Sequence, residues 1–512
     1  MSQKTTDGKT MKAWKLSAWT LSFGMLTIAG WSDASDQVAR STLVIVQQDE
    51  TLPTGPTGDN QIEASPSDLP ATRQPPPVIS DPLVAPDLMP KVSEAPIPSV
   101  ADLLKEAGVK DGCLDCVGAR CRCLGDPWKM PQPPLLNRMG VDVGGWIQHG
   151  ITYNHRNPDS GFNGPVATND LDSEYQMNQL WLYLNRPADT GGCGWAIGGR
   201  IDMVYGTDWR FGINHGLEDR INGLNDQRYG LVLPQFYLEV AYNDLSVKLG
   251  HFAAILDYEY IPAPPNPFYS HSYSYGYTVP LLVTGALADW KMNDQWSLQA
   301  GLHRGWMMFE DYNNDWDIMA GVRWNSLDQK TSVAYALSSG RQSFMPVFDA
   351  NNDNRFVYSL VVQRQLTQRL RYVMVHNLGY ETGLPMELGG GDAQWYGLNQ
   401  YLLYQINPRL SANLRAEWMR DDDGVRIAGP GNIDGVAAWD GAGYAGDFYG
   451  LTLGLNWRPH GNLLFRPEIR YDWYNGENSL FEGIDPSKPL RPFGNGDRDD
   501  QLTLGVDMVI TF

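Results

Sequence analysis

From Val141 to the carboxyl terminus, apolar side chains recur at every second residue, segment after segment, with no helical period between the segments. The last segment is the cleanest. Leu502, Leu504, Val506, Met508, Ile510 and Phe512 share one face, and Gln501, Thr503, Gly505, Asp507 and Thr511 share the other. Segment 462–475 sets Phe465, Ile469, Tyr471 and Trp473 against Arg466, Glu468, Arg470 and Asp472. Segments 447–458, 410–420, 316–325 and 295–308 follow the same pattern.

The connections alternate in length. Short turns fall at Asn243-Asp244, Asn293-Asp294, Asp328-Gln329, Thr367-Gln368, Asn407-Pro408 and His460-Gly461, with a slightly longer one over Arg186–Gly194. The other connections are mostly long and polar: 155–173, 212–230, 259–278, 311–315, 341–354, 381–393, 421–446 and 476–499. Seven short and eight longer connections predict sixteen strands with both ends on the short-turn side. The expected strands are 143–154, 174–185, 195–210, 231–242, 245–257, 279–291, 295–309, 316–326, 331–340, 355–366, 370–380, 394–406, 410–420, 447–458, 462–475 and 500–512.

An even strand count, with short turns at one end and long loops at the other, is the pattern of an outer-membrane β-barrel. Lipid offers no hydrogen-bond partners, so a spanning sheet must close on itself, apolar outside and free to be wet inside. The mean hydropathy of −0.36 excludes a bundle of membrane helices. A soluble sandwich or propeller gives no reason for the loop alternation, and no blade-length repeat is visible. Trp324, Trp418, Trp457, Trp473 and Tyr242 fall near the ends of lipid-facing rows, as interfacial girdles require. At strands 174–185 and 279–291 both rows are apolar, and the facing is ambiguous.

The amino-terminal third has another character. Lys4, Lys9, Lys12 and Lys15 precede an apolar run from Leu16 to Gly30, followed by Ser32-Asp33-Ala34. This is the layout of a secretory signal, expected to be cut after Ala34. Residues 35–110 are Pro-rich (Pro75, Pro76 and Pro77 among others) and read as an extended or disordered periplasmic linker. Residues 111–140 carry Cys113, Cys116, Cys121 and Cys123, four of the five cysteines. In an exported chain two local disulfides are the leading expectation; a metal site is the alternative, and the pairing stays open, as does the role of Cys193. Residues 141–512 form the expected barrel.

One region carries a family resemblance. Gln179-Leu-Trp-Leu-Tyr-Leu-Asn-Arg-Pro187, Arg200-Ile-Asp-Met-Val-Tyr-Gly-Thr-Asp208, Pro234-Gln-Phe-Tyr-Leu-Glu-Val240, Leu245-Ser-Val-Lys-Leu-Gly-His-Phe252 and Tyr258-Glu-Tyr-Ile-Pro-Ala-Pro-Pro-Asn-Pro-Phe-Tyr-Ser-His-Ser272 together resemble the β-barrel porin-2, OmpL-like family of bacterial outer membranes. The resemblance covers about 141–512. It implies a porin-like outer-membrane barrel and supplies no substrate and no catalytic residues.

The inward rows are expected to line a pore with Arg200, Lys248, Arg323, Arg415, Arg458, Arg466 and Arg470, interspersed with Asp202, Glu239, Asp317, Glu417, Glu468, Asp472 and Asp507. Two arrangements fit: cross-strand ion pairs that stiffen the wall, or a transverse field at a constriction, with Arg466 and Arg470 facing acidic groups or a loop. The loop 259–278 is rich in Pro and carries Tyr269, Tyr273, Tyr275 and Tyr277. It either folds inward as a constriction or anchors aromatic rings at the rim. Gly441-x-Gly443-x-x-Gly446 leads into a strand, not a helix, and Asp349-x-Asn351-x-Asp353 lacks the Gly and Glu of a calcium loop, so neither supports a site. No catalytic constellation, cofactor or metal is expected. A net charge of −20 argues against nucleic acid.

The expected function is passive diffusion of small polar solutes or ions through an outer-membrane channel. The alternative is a non-conducting anchor barrel tethered to the cell wall by the Pro-rich segment. Expected partners are outer-membrane lipid and, through the strand ending at Phe512, the barrel-assembly machinery. Assembly as a homotrimer is left open.

Overall fold

The computed structural model describes residues 127–222, 228–310, 314–341, 354–384, 391–427, 443–476 and 491–512. The signal, the linker and the cluster Cys113, Cys116, Cys121 and Cys123 lie outside the described residues. Among the described residues seventeen strands are formed: β1 (Asp142–Asn154), β2 (Tyr175–Arg186), β3 (Trp195–Gly206), β4 (Gly230–Val232), β5 (Phe236–Tyr242), β6 (Leu245–Ala253), β7 (Leu282–Lys291), β8 (Trp296–His303), β9 (Asp317–Asn325), β10 (Thr331–Gly340), β11 (Asn354–Gln365), β12 (Leu370–Leu384), β13 (Gly391–Asn407), β14 (Leu410–Asp421), β15 (Gly446–His460), β16 (Leu463–Asn475) and β17 (Asp500–Thr511). Neighbours pair antiparallel, and β1 pairs with β17, so the sheet closes.

The expected count of sixteen survives the extra strand. Both β4 and β5 pair with β3 and occupy one wall position, interrupted at Leu233-Pro234-Gln235. Pro234 has no N–H for the ladder; the adjacent Gln235 carbonyl still accepts from the Asp202 N–H at 2.7 Å. The protein is therefore a closed antiparallel barrel with sixteen wall positions. Among the described residues no helix is long and apolar enough to cross a membrane; the strands cross instead.

Burial alternates along the wall as the period of two requires. In β16, Arg466, Glu468, Arg470 and Asp472 are buried while Ile469, Tyr471 and Trp473 are outside. Aromatic rings pair along the outer rims: Trp195 lies tilted against Tyr242 (4.7 Å between centroids) at the short-turn end, and Tyr449 stacks on Trp473 (5.0 Å) at the other.

Three expected strands end early. The strand from Trp195 stops at Gly206 and continues as a 3₁₀ turn, Thr207–Phe211. That from Leu245 stops at Ala253, and that from Trp296 stops at His303. In each case the apolar residues beyond the end (Trp209, Ile255, Leu256, Trp306) do not continue a lipid row. They turn into the barrel and join buried clusters there. A second core thus exists inside the wall, where Ile255, Leu256, Tyr258 and Phe268 share one cluster with Val357, Val361, Val373 and Val375 of β11 and β12. It resolves the two ambiguous strands. Trp181 of β2 stacks on Trp146 of β1 (4.6 Å), and Val283 and Leu287 of β7 lie in the internal cluster, so apolar residues occupy the inner row as well.

At the short-turn end the chain ahead of β1 is clamped to the rim by two side-chain amides. Asn462 accepts from the Trp128 N–H at 2.6 Å and donates to the Trp128 carbonyl at 2.7 Å and to the Thr511 carbonyl at 2.8 Å. Gln132 makes the equivalent pair with the Val143 N–H and carbonyl, both at 2.8 Å. A short helix, Pro134–Arg138, follows.

Candidate functional site

The loop 254–281 connects β6 to β7, and the hydrogen bond from Ala254 N–H to the Leu281 carbonyl (3.0 Å) closes its neck. Asp257 adopts φ 73°, unusual for a non-glycine residue. Its own carboxylate accepts from the Tyr258 N–H at 2.6 Å, which fixes the turn. The loop then leaves its own side of the wall. Its polar partners lie on β2, on β11 to β14 and on β16, and β14 and β16 are on the far side of a sixteen-position ring from β6 and β7. Ser272 caps the one-turn helix Tyr273–Thr278 by accepting from the Tyr275 N–H.

Wall side chains hold this loop chiefly by its backbone. Arg415 donates to the Ser270 carbonyl (2.7 Å), Arg466 to the carbonyls of Ala263 (2.9 Å) and Asn266 (2.7 Å), and Arg470 to that of His271 (2.6 Å). Glu468 accepts from the N–H groups of Tyr269 (2.9 Å) and Ser270 (3.2 Å), and Glu417 from that of Tyr273 (2.8 Å). The same wall groups pair with one another. Arg466 bonds Asp507 directly opposite it on β17, Arg470 bonds Asp472, and Glu417 lies 3.2–3.3 Å from Arg470 and Arg415. Cross-strand ion pairs and an arginine row facing a loop thus occur in one place.

All three arginines are at most 1% exposed. Charges withdrawn from water this far require a full set of partners, and the loop backbone supplies what the wall lacks. Arg470 on β16 and Glu417 on β14 meet across β15, where Gly450 stands directly opposite Glu417; a Cβ there would lie 2.5 Å from Glu417 Oε1. Gly450→Ala is expected to cost about 1–3 kcal/mol through overpacking, read as a lowered urea midpoint. Gly276→Ala, whose nearest neighbour would be 3.7 Å away, should leave it unchanged.

One loop side chain takes part that the period of two could not reveal. Glu259 accepts from Arg415 (3.0 Å), the Tyr401 hydroxyl (2.8 Å), His271 Nδ1 (2.8 Å) and the Ser272 N–H (3.0 Å). Burial alone would push its carboxyl up, but Arg415 and His271 hold it down at about 2. Asp257, buried beside Glu259 and bonded to Asn377 Nδ2, is pushed up to about 6. A sequence signal existed: Glu259 is the only carboxylate between residues 258 and 278.

The four loop tyrosines lie inside, not at the rim. The Tyr269 hydroxyl donates to Asn178 Oδ1 (2.9 Å), and that of Tyr277 to the Pro165 carbonyl (2.9 Å). Arg470 lies over the Tyr273 ring (4.8 Å), and Tyr275 stacks on His271 (4.7 Å). Rim anchoring is thus corrected: the rings are only 1–6% exposed and packed against loop and inner-wall groups.

The remaining inward residues are dispersed. Arg200 and Asp202 are buried on β3, and Glu239 on β5 and Lys248 on β6 are half-buried on the same face. Asp317 and Arg323 are buried on β9, with Arg323 4.0 Å from Asp289. Arg458 is half-buried near the short-turn end of β15. Cys193 is exposed in the turn after β2. No cluster of three or more His, Cys, Asp or Glu suited to a metal occurs among the described residues.

Known structures to which this chain is similar include the outer membrane channel DcaP of Acinetobacter baumannii (11% identity, TM-score 0.44, covering 73% of this chain and 97% of that one). An anion-selective porin from Comamonas acidovorans (10%, 0.48, 73% and 99%) and Pseudomonas putida OprB (13%, 0.45, 74% and 96%) are similar to the same extent. No curated protein matches the chain. Residues 140–512 match the family described as Putative beta-barrel porin-2, OmpL-like. With a closed sixteen-position barrel and a match over most of its length, the chain belongs to that family of porin-like barrels and resides in the bacterial outer membrane.

Proposed function

We propose that the protein is a channel for passive diffusion of small polar solutes or ions across the outer membrane, narrowed by the loop 259–278. The observation that carries this reading is the loop's reach to the opposite wall, where Arg415, Arg466 and Arg470 hold its carbonyls. Such a crossing sets the free cross-section, and charged inner rows suit polar solutes. In this reading the inward residues named above line the bore, those on β3, β5, β6 and β9 on the side away from the arginine row.

A second reading has its own observation. The chain ahead of β1 is clamped at the short-turn rim by Asn462 and Gln132, which fixes where a tether leaves the barrel. A non-conducting anchor joined to the cell wall through the Pro-rich segment would use such a fixed exit. Planar bilayers decide between the two. The channel reading expects stepwise conductance and a defined reversal potential in a salt gradient; an insulating barrel whose residues 35–110 retain peptidoglycan would overturn it.

A further inference from the structure

The inner face of β2 to β6 is the converse of the arginine row on β14 and β16. There, buried donors of Arg200 and Asn185 stand without hydrogen-bond partners, as does one acceptor, Asp202 Oδ1, which lies 2.9 Å from Arg200 Nε. Arg200 is 1% exposed; its Nε donates to Asp202 at 2.9 Å, while Nη1 and Nη2 have no partner. Asn185 stands directly opposite Arg200 in the β2–β3 register, is 4% exposed, and its Nδ2 is also unpartnered. The Arg200 guanidinium lies over the Tyr183 ring at 4.8 Å. On its other side Arg200 pairs in register with Tyr237, whose ring carries Lys248 Nζ at 4.8 Å.

Buried N–H groups with no acceptor are rare in folded proteins. Three such nitrogens here belong to one guanidinium and the amide facing it, and neither group can be relieved by losing a proton. Asp202 does not fill them: it takes Nε of Arg200 and Nε2 of Gln235 (2.8 Å). What fits a planar fork beside an amide N–H is a compact group with several acceptor oxygens. Half-exposed Tyr183, Tyr237 and Lys248, the last opposite Glu239 in the β5–β6 register, give an approach from inside the barrel.

We propose that Arg200 and Asn185 form a binding site for one small oxyanion, a phosphate or carboxylate group, on the inner wall. It rests on the channel reading only for how the anion arrives.

The test uses the full chain in detergent micelles, titrated with inorganic phosphate, acetate and chloride and followed by calorimetry and phosphorus line broadening. Wild type should bind phosphate or acetate saturably and chloride weakly; the stronger of the two oxyanions identifies the source. Arg200→Gln and Arg200→Lys should each weaken binding about tenfold or more, because the fork is lost in both. Asn185→Leu should weaken it less. Unchanged affinity in Arg200→Gln would overturn the site, as would the absence of saturable oxyanion binding in wild type. If Arg200→Gln does not fold, unchanged affinity in Asn185→Leu overturns it instead. A barrel that insulates but binds phosphate removes the channel reading and leaves the site intact.

Discussion

Deletion of residues 262–276 should raise single-channel conductance several-fold. The segment removed contains Tyr269, Tyr273 and Tyr275 and the carbonyls that Arg415, Arg466 and Arg470 hold. It lies between the two sides of the ring and contributes Phe268 and Tyr273 to the internal cluster, while Ile255, Leu256 and Tyr258 stay behind to cover β11 and β12. Without it the arginine row faces water, and ion flux follows the widened bore and its charge rings. The barrel itself should persist, because every wall strand is paired on both edges independently of the loop. The check is conductance in 1 M salt together with the heat-modifiable migration of folded barrels. Unchanged conductance in a folded deletion mutant would refute the constriction.

The wall was readable in the sequence because one physical rule governs it. Lipid on one side forces a period of two, and hydrogen-bond closure forces pairing between successive strands. Residues such as Leu504 and Asp507 therefore announced their faces. The interior obeys no such rule. Trp209, Ile255, Leu256 and Trp306 look like further members of lipid rows, but they serve a core inside the barrel, and three strands were expected to run too long. The partnership of Glu259 with Arg415 spans 156 residues, a separation that no local period reports. The arginine row was legible as a row; what it holds was not, because its ligands are main-chain carbonyls common to every residue. Arg200 shows the limit from the other side. Its place on the inner face follows from alternation, but its unfilled donors appear only once every neighbour is in position.

Arg415→Met should destabilise the folded barrel by about 3–5 kcal/mol, the range for removing one partner from a buried charge network. Arg415 is fully buried between Glu259 of the loop and Glu417 of its own strand, and it also bonds the Ser270 carbonyl and Thr452. Methionine fills the volume but leaves the two carboxylates facing each other without the charge between them. The pH dependence identifies the mechanism. In the wild type Glu259 sits at about 2, below the ordinary glutamate range, so it binds protons less readily folded than unfolded. Its contribution is complete above the ordinary value of about 4.5 and is lost as pH falls toward 2. Asp257, held up at about 6, works in the opposite direction: its ionised form is disfavoured in the fold, and its unfavourable share grows as pH rises from about 4 through 6. Removing Arg415 deprives Glu259 of its main stabilising charge, so its carboxyl should rise and the acid edge of stability should move to higher pH. Urea midpoints of wild type and Arg415→Met between pH 3 and 8 would show both effects. A variant with lower stability but an unmoved acid edge would mean that Arg415 acts through packing alone.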